Sequence, residues 1–224
     1  MQDIAIYDMD KTITRAATWT PFLLYAARRR APWRLALLPL LGGAGLGYAI
    51  GLVNRGQLKQ IAFRLMLGRV VPAPAMAMLA AGFADKIAVR GVWSAARAQI
   101  ASDRAAGRRL VLATASFRCY VDPIAADLGF DAVIATELTL ALDGGVTALI
   151  DGDNCYGMAK LDRISAWMAD QGVARADATI AFYSDHVSDG PTLAWVDRPY
   201  AVNPHPALRQ LAAAEGWPVL DWTD

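Results

Sequence analysis

The stretch Ile4-Ala5-Ile6-Tyr7, followed at once by Asp8-Met9-Asp10-Lys11-Thr12, constrains this chain more than any other. A short apolar run of β-branched and aromatic residues reads as a buried strand. In open α/β sheets, ligands bind beyond the carboxyl ends of the strands. Side chains alternate along an extended backbone, so Asp8 and Asp10 are expected to point the same way, toward one site. Two acids held together need a cation, a proton or both. Taken alone, the same residues also fit an Asx turn ahead of a Thr-capped helix.

A second acidic pair favours the site reading. Ala178-Thr179-Ile180-Ala181-Phe182-Tyr183 is another short apolar run, followed by Ser184-Asp185-His186-Val187-Ser188-Asp189-Gly190. Asp185 and Asp189 also fit turn and N-cap positions. In a parallel sheet, however, both strand ends lie on one edge, and the four carboxylates can converge. Clustered carboxylate oxygens without His or Cys suit a hard divalent cation, Mg²⁺ by default. A third strand, Leu110-Val111-Leu112-Ala113, ends in Thr114-Ala115-Ser116-Phe117, whose hydroxyls and backbone N–H groups are donors for an anion. Ser116 also fits as the cap of a helix starting near Arg118. Lys160 opens a helix with apolar positions Leu161, Ile164 and Met168. Its place between the third strand and the second acidic pair singles it out.

The ordered set Asp8-x-Asp10, Thr114, Lys160 and Asp185-x-x-x-Asp189 resembles the four motifs of the haloacid dehalogenase-like phosphatase superfamily. It is most similar to the phosphoserine phosphatase-like branch, subfamily IB. Asn154-Cys155-Tyr156-Gly157-Met158-Ala159-Lys160 resembles the Asn-Cys-x-Gly-x-x-Lys run of that branch. The resemblance implies that Asp8 is a nucleophile forming an aspartyl-phosphate and that Asp10 is the general acid, then base. It implies that Asp8, the backbone carbonyl of Asp10, and Asp185 hold Mg²⁺. Thr114, Ala115 and Lys160 would bind the phosphoryl group of a phosphomonoester substrate, and Asp189 would orient water or Lys160. Lys11 stands where the first motif usually has Gly, a residue freer to adopt unusual backbone angles. Ser188 stands where the fourth motif commonly has Asn, and His186 is an uncommon neighbour, expected to face solvent, with a contact to substrate or behind the ligands as the alternative.

The expected fold is α/β: a Rossmann-like parallel sheet core flanked by helices, with an α-helical cap inserted after the first strand and a small β-hairpin. The core takes residues 1–13 and 92–224, and the cap takes 14–91. Alternating patterns after Val92 place helices near 92–106, 118–128, 159–171 and 205–215. Strands are expected near 4–8, 110–114, 131–135, 179–183 and 198–202. Leu138, Leu140 and Leu142 alternate ahead of Asp143-Gly144-Gly145, which predicts a hairpin over 136–152.

The 14–91 segment is unlike the rest. After Arg28-Arg29-Arg30 and Arg34, no charged residue occurs from Leu35 to Val53; Arg55 and Lys59 follow. That run reaches the lower range of a membrane span, roughly 17–25 residues. Pro39 and the glycines 42, 43, 45, 47 and 51 fit two shorter helices better than one straight span. Basic residues flanking an apolar patch also fit a surface element on anionic headgroups, so peripheral membrane association through 31–55 is expected alongside an ordinary soluble cap and a true span as alternatives. A hydrophobic fraction of 55% favours the first. Trp19 and Trp33 are candidate interfacial anchors or substrate contacts.

A net charge of +1, with no basic stripe interleaved with aromatics, argues against nucleic acid as a partner. The chain starts directly on a strand, without a basic-then-apolar leader, and Cys119 and Cys155 have neither metal-ligand spacing nor a disulfide framework. The expected location is cytoplasmic, including the inner face of the cytoplasmic membrane. Asp85 is the single acid between Thr14 and Gly91, which argues against recognition of an ammonium group. The chain also resembles phosphatidylglycerophosphatase C-like members in its apolar early cap and Tyr-Ser-Asp motif. That resemblance implies a lipid or amphipathic phosphate. The alternatives are a soluble phosphoserine-like substrate, a phosphotransferase using the same aspartyl-phosphate, and a non-catalytic membrane-binding module.

Overall fold

A computed structural model describes residues 1–223. Its centre is an eight-stranded sheet in the order β2-β5-β4-β3-β1-β6-β7-β8. The strands are β1 (Gln2–Tyr7), β2 (Val70–Val71), β3 (Arg109–Phe117), β4 (Ala132–Leu140), β5 (Val146–Asp151), β6 (Ala178–Ser184), β7 (Arg198–Val202) and β8 (Val219–Leu220). From β4 through β3, β1, β6 and β7 to β8 every pairing is parallel. The expected hairpin is an extension of this sheet: β4 runs on past its parallel partner, and β5 returns antiparallel to it. The short β2 then pairs antiparallel with β5, carrying the sheet into the 14–91 segment.

Alternation along β1 splits the core in two. Ala5 and Tyr7 face one layer, made from α1 (Trp19–Arg30), α3 (Arg55–Leu67), α4 (Ala73–Arg90), α5 (Ser94–Ala105) and α6 (Arg118–Leu128). Ile4 and Ile6 face the other, made from α7 (Met158–Asp170), α8 (Gly190–Trp195) and α9 (Pro206–Glu215). Two helix ends show their local chemistry plainly. Asn54 and Gln57 form a reciprocal capping box at the start of α3, with bonds of 2.8 and 2.9 Å. Gly129 ends α6 in the left-handed region, at φ 74°.

β1 and β6 are locked side by side behind their carboxyl ends. Tyr7, Tyr183 and Tyr200 are register partners on β1, β6 and β7, and their rings stack at 4.4 and 4.8 Å. Such pairs contribute about 0.5–1.5 kcal/mol each beyond burial. The Tyr7 hydroxyl donates to the buried Asp103 carboxylate, the Tyr183 hydroxyl does so at 3.2 Å, and Arg108 pairs with Asp103 at 2.7 Å. The strands that carry the two acidic loops therefore cannot slip past one another without breaking this network.

Thr14 and Val92, at the two ends of this segment, form an isolated antiparallel bridge outside the sheet. Between them α1, α3 and α4 bury apolar faces, including Phe22, Phe63, Met66 and Phe83. The run 35–53 behaves differently. It forms a short 3-10 turn, Pro32–Leu37, and one helix, α2 (Leu38–Ala49), and neither element buries a single residue. Leu46 is 65% exposed and Ile50 64%. Among the described residues no helix is long and apolar enough to cross a membrane, which overturns the true-span alternative.

Candidate active site

The parity of β1 continues one residue past the strand. Asp8 follows Ile4 and Ile6 onto the α7 face, where the buried Lys160 ammonium donates to its Oδ1 at 2.8 Å. Lys160 also donates to Asp189 Oδ2 at 2.7 Å, and the Ser184 hydroxyl donates to the same oxygen at 2.6 Å. The Thr12 hydroxyl lies 3.3 Å from Asp8 Oδ2 and 3.4 Å from Asp185 Oδ1, joining the two acidic loops. All of these groups are buried.

Alternation stops there. Met9–Ile13 curls into a tight turn, with Lys11 in the left-handed region at φ 64° and ψ −7°. The expectation that Asp8 and Asp10 share one direction thus needs correction, because it holds only while the backbone stays extended. The Asp10 carboxylate is held on the other side: Oδ1 accepts from the Thr18 N–H at 2.8 Å and hydroxyl at 2.7 Å, and Oδ2 from the Ser116 hydroxyl at 2.8 Å. Asp8 and Asp10 still line a common cavity of about 200 Å³ with Thr114, Ala115, Lys160, Asp185 and Asp189. Thr114 Oγ1 accepts from the Ser116 N–H at 3.1 Å, within the register irregularity of β3 between Ala113 and Phe117. Ser116 makes no side-chain cap for α6; its hydroxyl serves Asp10 instead.

Charge in this cavity is unbalanced. Burial pushes the Asp8 carboxyl up to about 6, Lys160 opposing and Asp189 adding to the rise. Burial and the charges of Asp8 and Asp189 push Asp185 up to about 8. Burial works against the Lys160 ammonium, but Asp189 and Asp8 outweigh it and raise its pKa. Among the described residues, Asp189 Oδ1 is buried with no hydrogen-bond partner.

Among the described residues no three His, Cys, Asp or Glu side chains form a ready metal cluster. The donor set nevertheless fits Mg²⁺, which is typically held by one or two carboxylates while keeping several waters. Two carboxylates raised by burial and by neighbouring negative charge, beside an unpartnered carboxylate oxygen, are what such a cation would relieve.

Several groups at the site escaped the sequence reading. His186, expected to face solvent, is partly buried on the cavity wall, with Nδ1 2.9 Å from Ser188 Oγ. Arg55 and Tyr156 line the same cavity, the guanidinium 4.1 Å from the ring centroid. Lys59 is buried on α3, donating to the Ala115 carbonyl at 2.6 Å and to Asn154 Oδ1 at 2.7 Å. A signal for Lys59 was present: it falls on the apolar stripe formed with Ala62, Phe63, Met66 and Leu67. Cys155 is buried and Cys119 partly so, both as free thiols. Trp19 packs edge-on to Phe117 at 6.5 Å, whereas Trp33 is 64% exposed.

Comparison with known proteins places this geometry in a family. The model for haloacid dehalogenase-like hydrolase matches residues 5–194. A protein of Streptomyces azureus named "Inhibition of morphological differentiation protein" is 38% identical over 58% of this chain and 46% of its own length. The histidinol-phosphatase of Neisseria meningitidis serogroup C is 30% identical over 56% of this chain and 57% of its own. The chain thus spans about half the length of these curated relatives. A crystal structure of a protein of unknown function from Bordetella pertussis Tohama I superposes with a TM-score of 0.89, at 28% identity, with both chains wholly covered. An apo phosphoserine phosphatase structure shares the fold, with a TM-score of 0.65 at 15% identity, over 100% of this chain and 94% of its own.

Proposed function

The chain belongs to the haloacid dehalogenase-like hydrolase family, and on that premise we propose that it is a phosphomonoester hydrolase with Asp8 as its nucleophile. The observation that carries this reading is the buried Lys160 ammonium bridging Asp8 and Asp189 beside Asp185. A carboxylate cannot approach a phosphate dianion unaided, and Lys160 supplies a fixed positive charge against both. Asp8 attacks phosphorus as the bond to the alcohol oxygen breaks, leaving an aspartyl-phosphate. Protonated Asp10 gives its proton to the departing oxygen. Its partners Thr18 and Ser116 hold the carboxyl against the cavity wall, beside which that oxygen would emerge. Asp10, now ionised, takes a proton from water, which attacks phosphorus and frees Asp8 and inorganic phosphate. Thr114, the Ala115 turn and Lys160 bind the phosphoryl oxygens, and Asp189 orients Lys160. Asp8, Asp185 and the Asp10 backbone carbonyl would hold Mg²⁺, which when bound neutralises the phosphoryl oxygens during transfer.

The substrate reading divides on two observations. The exposed apolar α2, flanked by the Arg28–Arg30 run and Arg34, supports an amphipathic phosphate such as phosphatidylglycerophosphate, met at the surface of an anionic membrane. The relative named histidinol-phosphatase supports a small soluble phosphate. In this proposal residues 14–91 act as the cap that selects between them.

Trapping with labelled p-nitrophenyl phosphate should yield an acid-stable, hydroxylamine-labile phosphoenzyme that Asp8→Asn lacks; undiminished turnover by Asp8→Asn would refute the assignment. Rates on phosphatidylglycerophosphate in vesicles against soluble phosphoserine separate the substrate classes, and a preference for phosphoserine ends the lipid reading.

A further inference from the structure

A second cavity, of about 320 Å³, adjoins the first and shares Asp10, Ala17, Arg55 and Ala115 with it as walls. Its remaining walls include Trp19, Tyr48 and Leu58, which are apolar, and Lys59. We propose that Arg55 and Lys59 form a leaving-group subsite that selects phosphomonoesters whose alcohol carries a second anionic group, a carboxylate or a phosphodiester. The proposal rests on the hydrolase reading above and names the substrate class of that site.

The charge pattern is the first support. The titratable groups on the second cavity are Asp10, Arg55 and Lys59, together with Tyr48. The Asp10 carboxylate is already engaged by Thr18 and Ser116. Among the described residues Lys59 donates to the neutral Ala115 carbonyl and the Asn154 amide oxygen, while Arg55 lies over the Tyr156 ring. A buried ammonium without a carboxylate partner is costly, and two like charges four residues apart on one helix add to the cost. Burial, then Arg55, holds the Lys59 ammonium down to about 7, against the opposing charge of Asp10. An anion seated between the two cations would remove both penalties.

Position is the second. Ala115 lies between Thr114 and Ser116, so Lys59 is fixed to the turn that faces the phosphoryl group. An alcohol attached to that group passes Asp10 at the common wall and enters the second cavity. Trp19, Tyr48 and Leu58 then cover its apolar part, and its far anion meets the two cations. A cationic alcohol would be repelled there.

The test compares kcat/KM for 3-phosphoglycerate, glycerol 3-phosphate, phosphoethanolamine and glycerophosphoglycerol phosphate, with p-nitrophenyl phosphate as a common reference. The wild-type chain should favour at least one anionic alcohol over glycerol 3-phosphate by 10-fold or more, on the order of a single charge-assisted contact, with phosphoethanolamine poorest. The better of the two anionic esters identifies the anion as carboxylate or phosphodiester. Arg55→Gln and Lys59→Met should each move the anionic-to-neutral ratio toward 1, chiefly through KM, and Lys59→Arg should keep it. The ratio is taken within one preparation, so a partly unfolded fraction cancels. Equal wild-type rates on all esters, or a ratio that survives both substitutions, overturns the subsite. If p-nitrophenyl phosphate is still hydrolysed in that case, the hydrolase reading stands. A wild-type chain that hydrolyses no ester brings down both.

Discussion

The Lys160 ammonium lies 2.8 Å from Asp8 Oδ1 across 152 residues of chain, buried at the floor of the cavity. This pair joins the first strand to the start of α7. Removing one partner of a buried pair leaves a bare charge, so Lys160→Met should cost about 3–5 kcal/mol of stability. Thermal or urea unfolding at pH 7 checks this, and turnover of any phosphomonoester should be abolished in the folded fraction.

In the absence of divalent cations, stability should fall as pH rises from about 4 to about 8. Burial holds Asp8 up to about 6 and Asp185 up to about 8 in the folded chain, whereas the unfolded chain releases both protons near 3.8. The folded state binds more protons across that window, so raising the pH favours unfolding, by on the order of 1 kcal/mol per pH unit for each proton. Scanning calorimetry from pH 4 to 8 should show this decline, and adding Mg²⁺ should flatten it; a decline unchanged by Mg²⁺ would count against Asp8 and Asp185 as its ligands.

Lys11 occupies φ 64° with no glycine to accommodate it. A left-handed non-glycine residue costs about 1–2 kcal/mol, and glycine gives back about 0.5–1 kcal/mol in chain entropy. Lys11→Gly should therefore stabilise the protein by about 0.5–1 kcal/mol, read as a rise in Tm. A lower Tm would mean that the Lys11 side chain contributes more than its backbone strain costs.

Asp10→Asn retains an oxygen that can accept from Thr18 and so should fold normally. It cannot deliver or accept the proton, and kcat should drop by about 10²–10⁴-fold. The loss should be smallest for p-nitrophenyl phosphate, whose leaving group needs little protonation; an equal loss on alkyl and nitrophenyl esters would argue for a purely structural role.

Leu46 and Ile50 are largely exposed, and neither counts among the core residues. Leu46→Glu with Ile50→Glu should change stability by no more than about 1 kcal/mol in total. The pair should abolish co-sedimentation with anionic vesicles, which in the unaltered chain should weaken with salt. Unaltered chain that never sediments with vesicles would remove the membrane from the account.

Much of the site was legible because its chemistry is written at strand ends. Apolar runs at 4–7, 110–113 and 178–183 each stop at the residues that line the first cavity. The same logic failed one residue later: the turn at Met9–Ile13 sends Asp10 toward Thr18, and the one hint of it was Lys11 standing where the resembled motif has Gly. Ser116 illustrates the same limit, since a helix cap and a partner for Asp10 look alike in sequence.

Residue order alone determined the α/β class, the parallel strands and the acids at their ends, because periodicity and strand termini are local properties of the backbone. Folding decided what those acids face. Lys59 became part of the site only when α3 packed over the Ala115 segment, and α2 settled with Leu41 partly covered and no residue fully buried. Both outcomes depend on contacts between segments far apart in the chain, whose pairing follows from shape and burial and has no local signature.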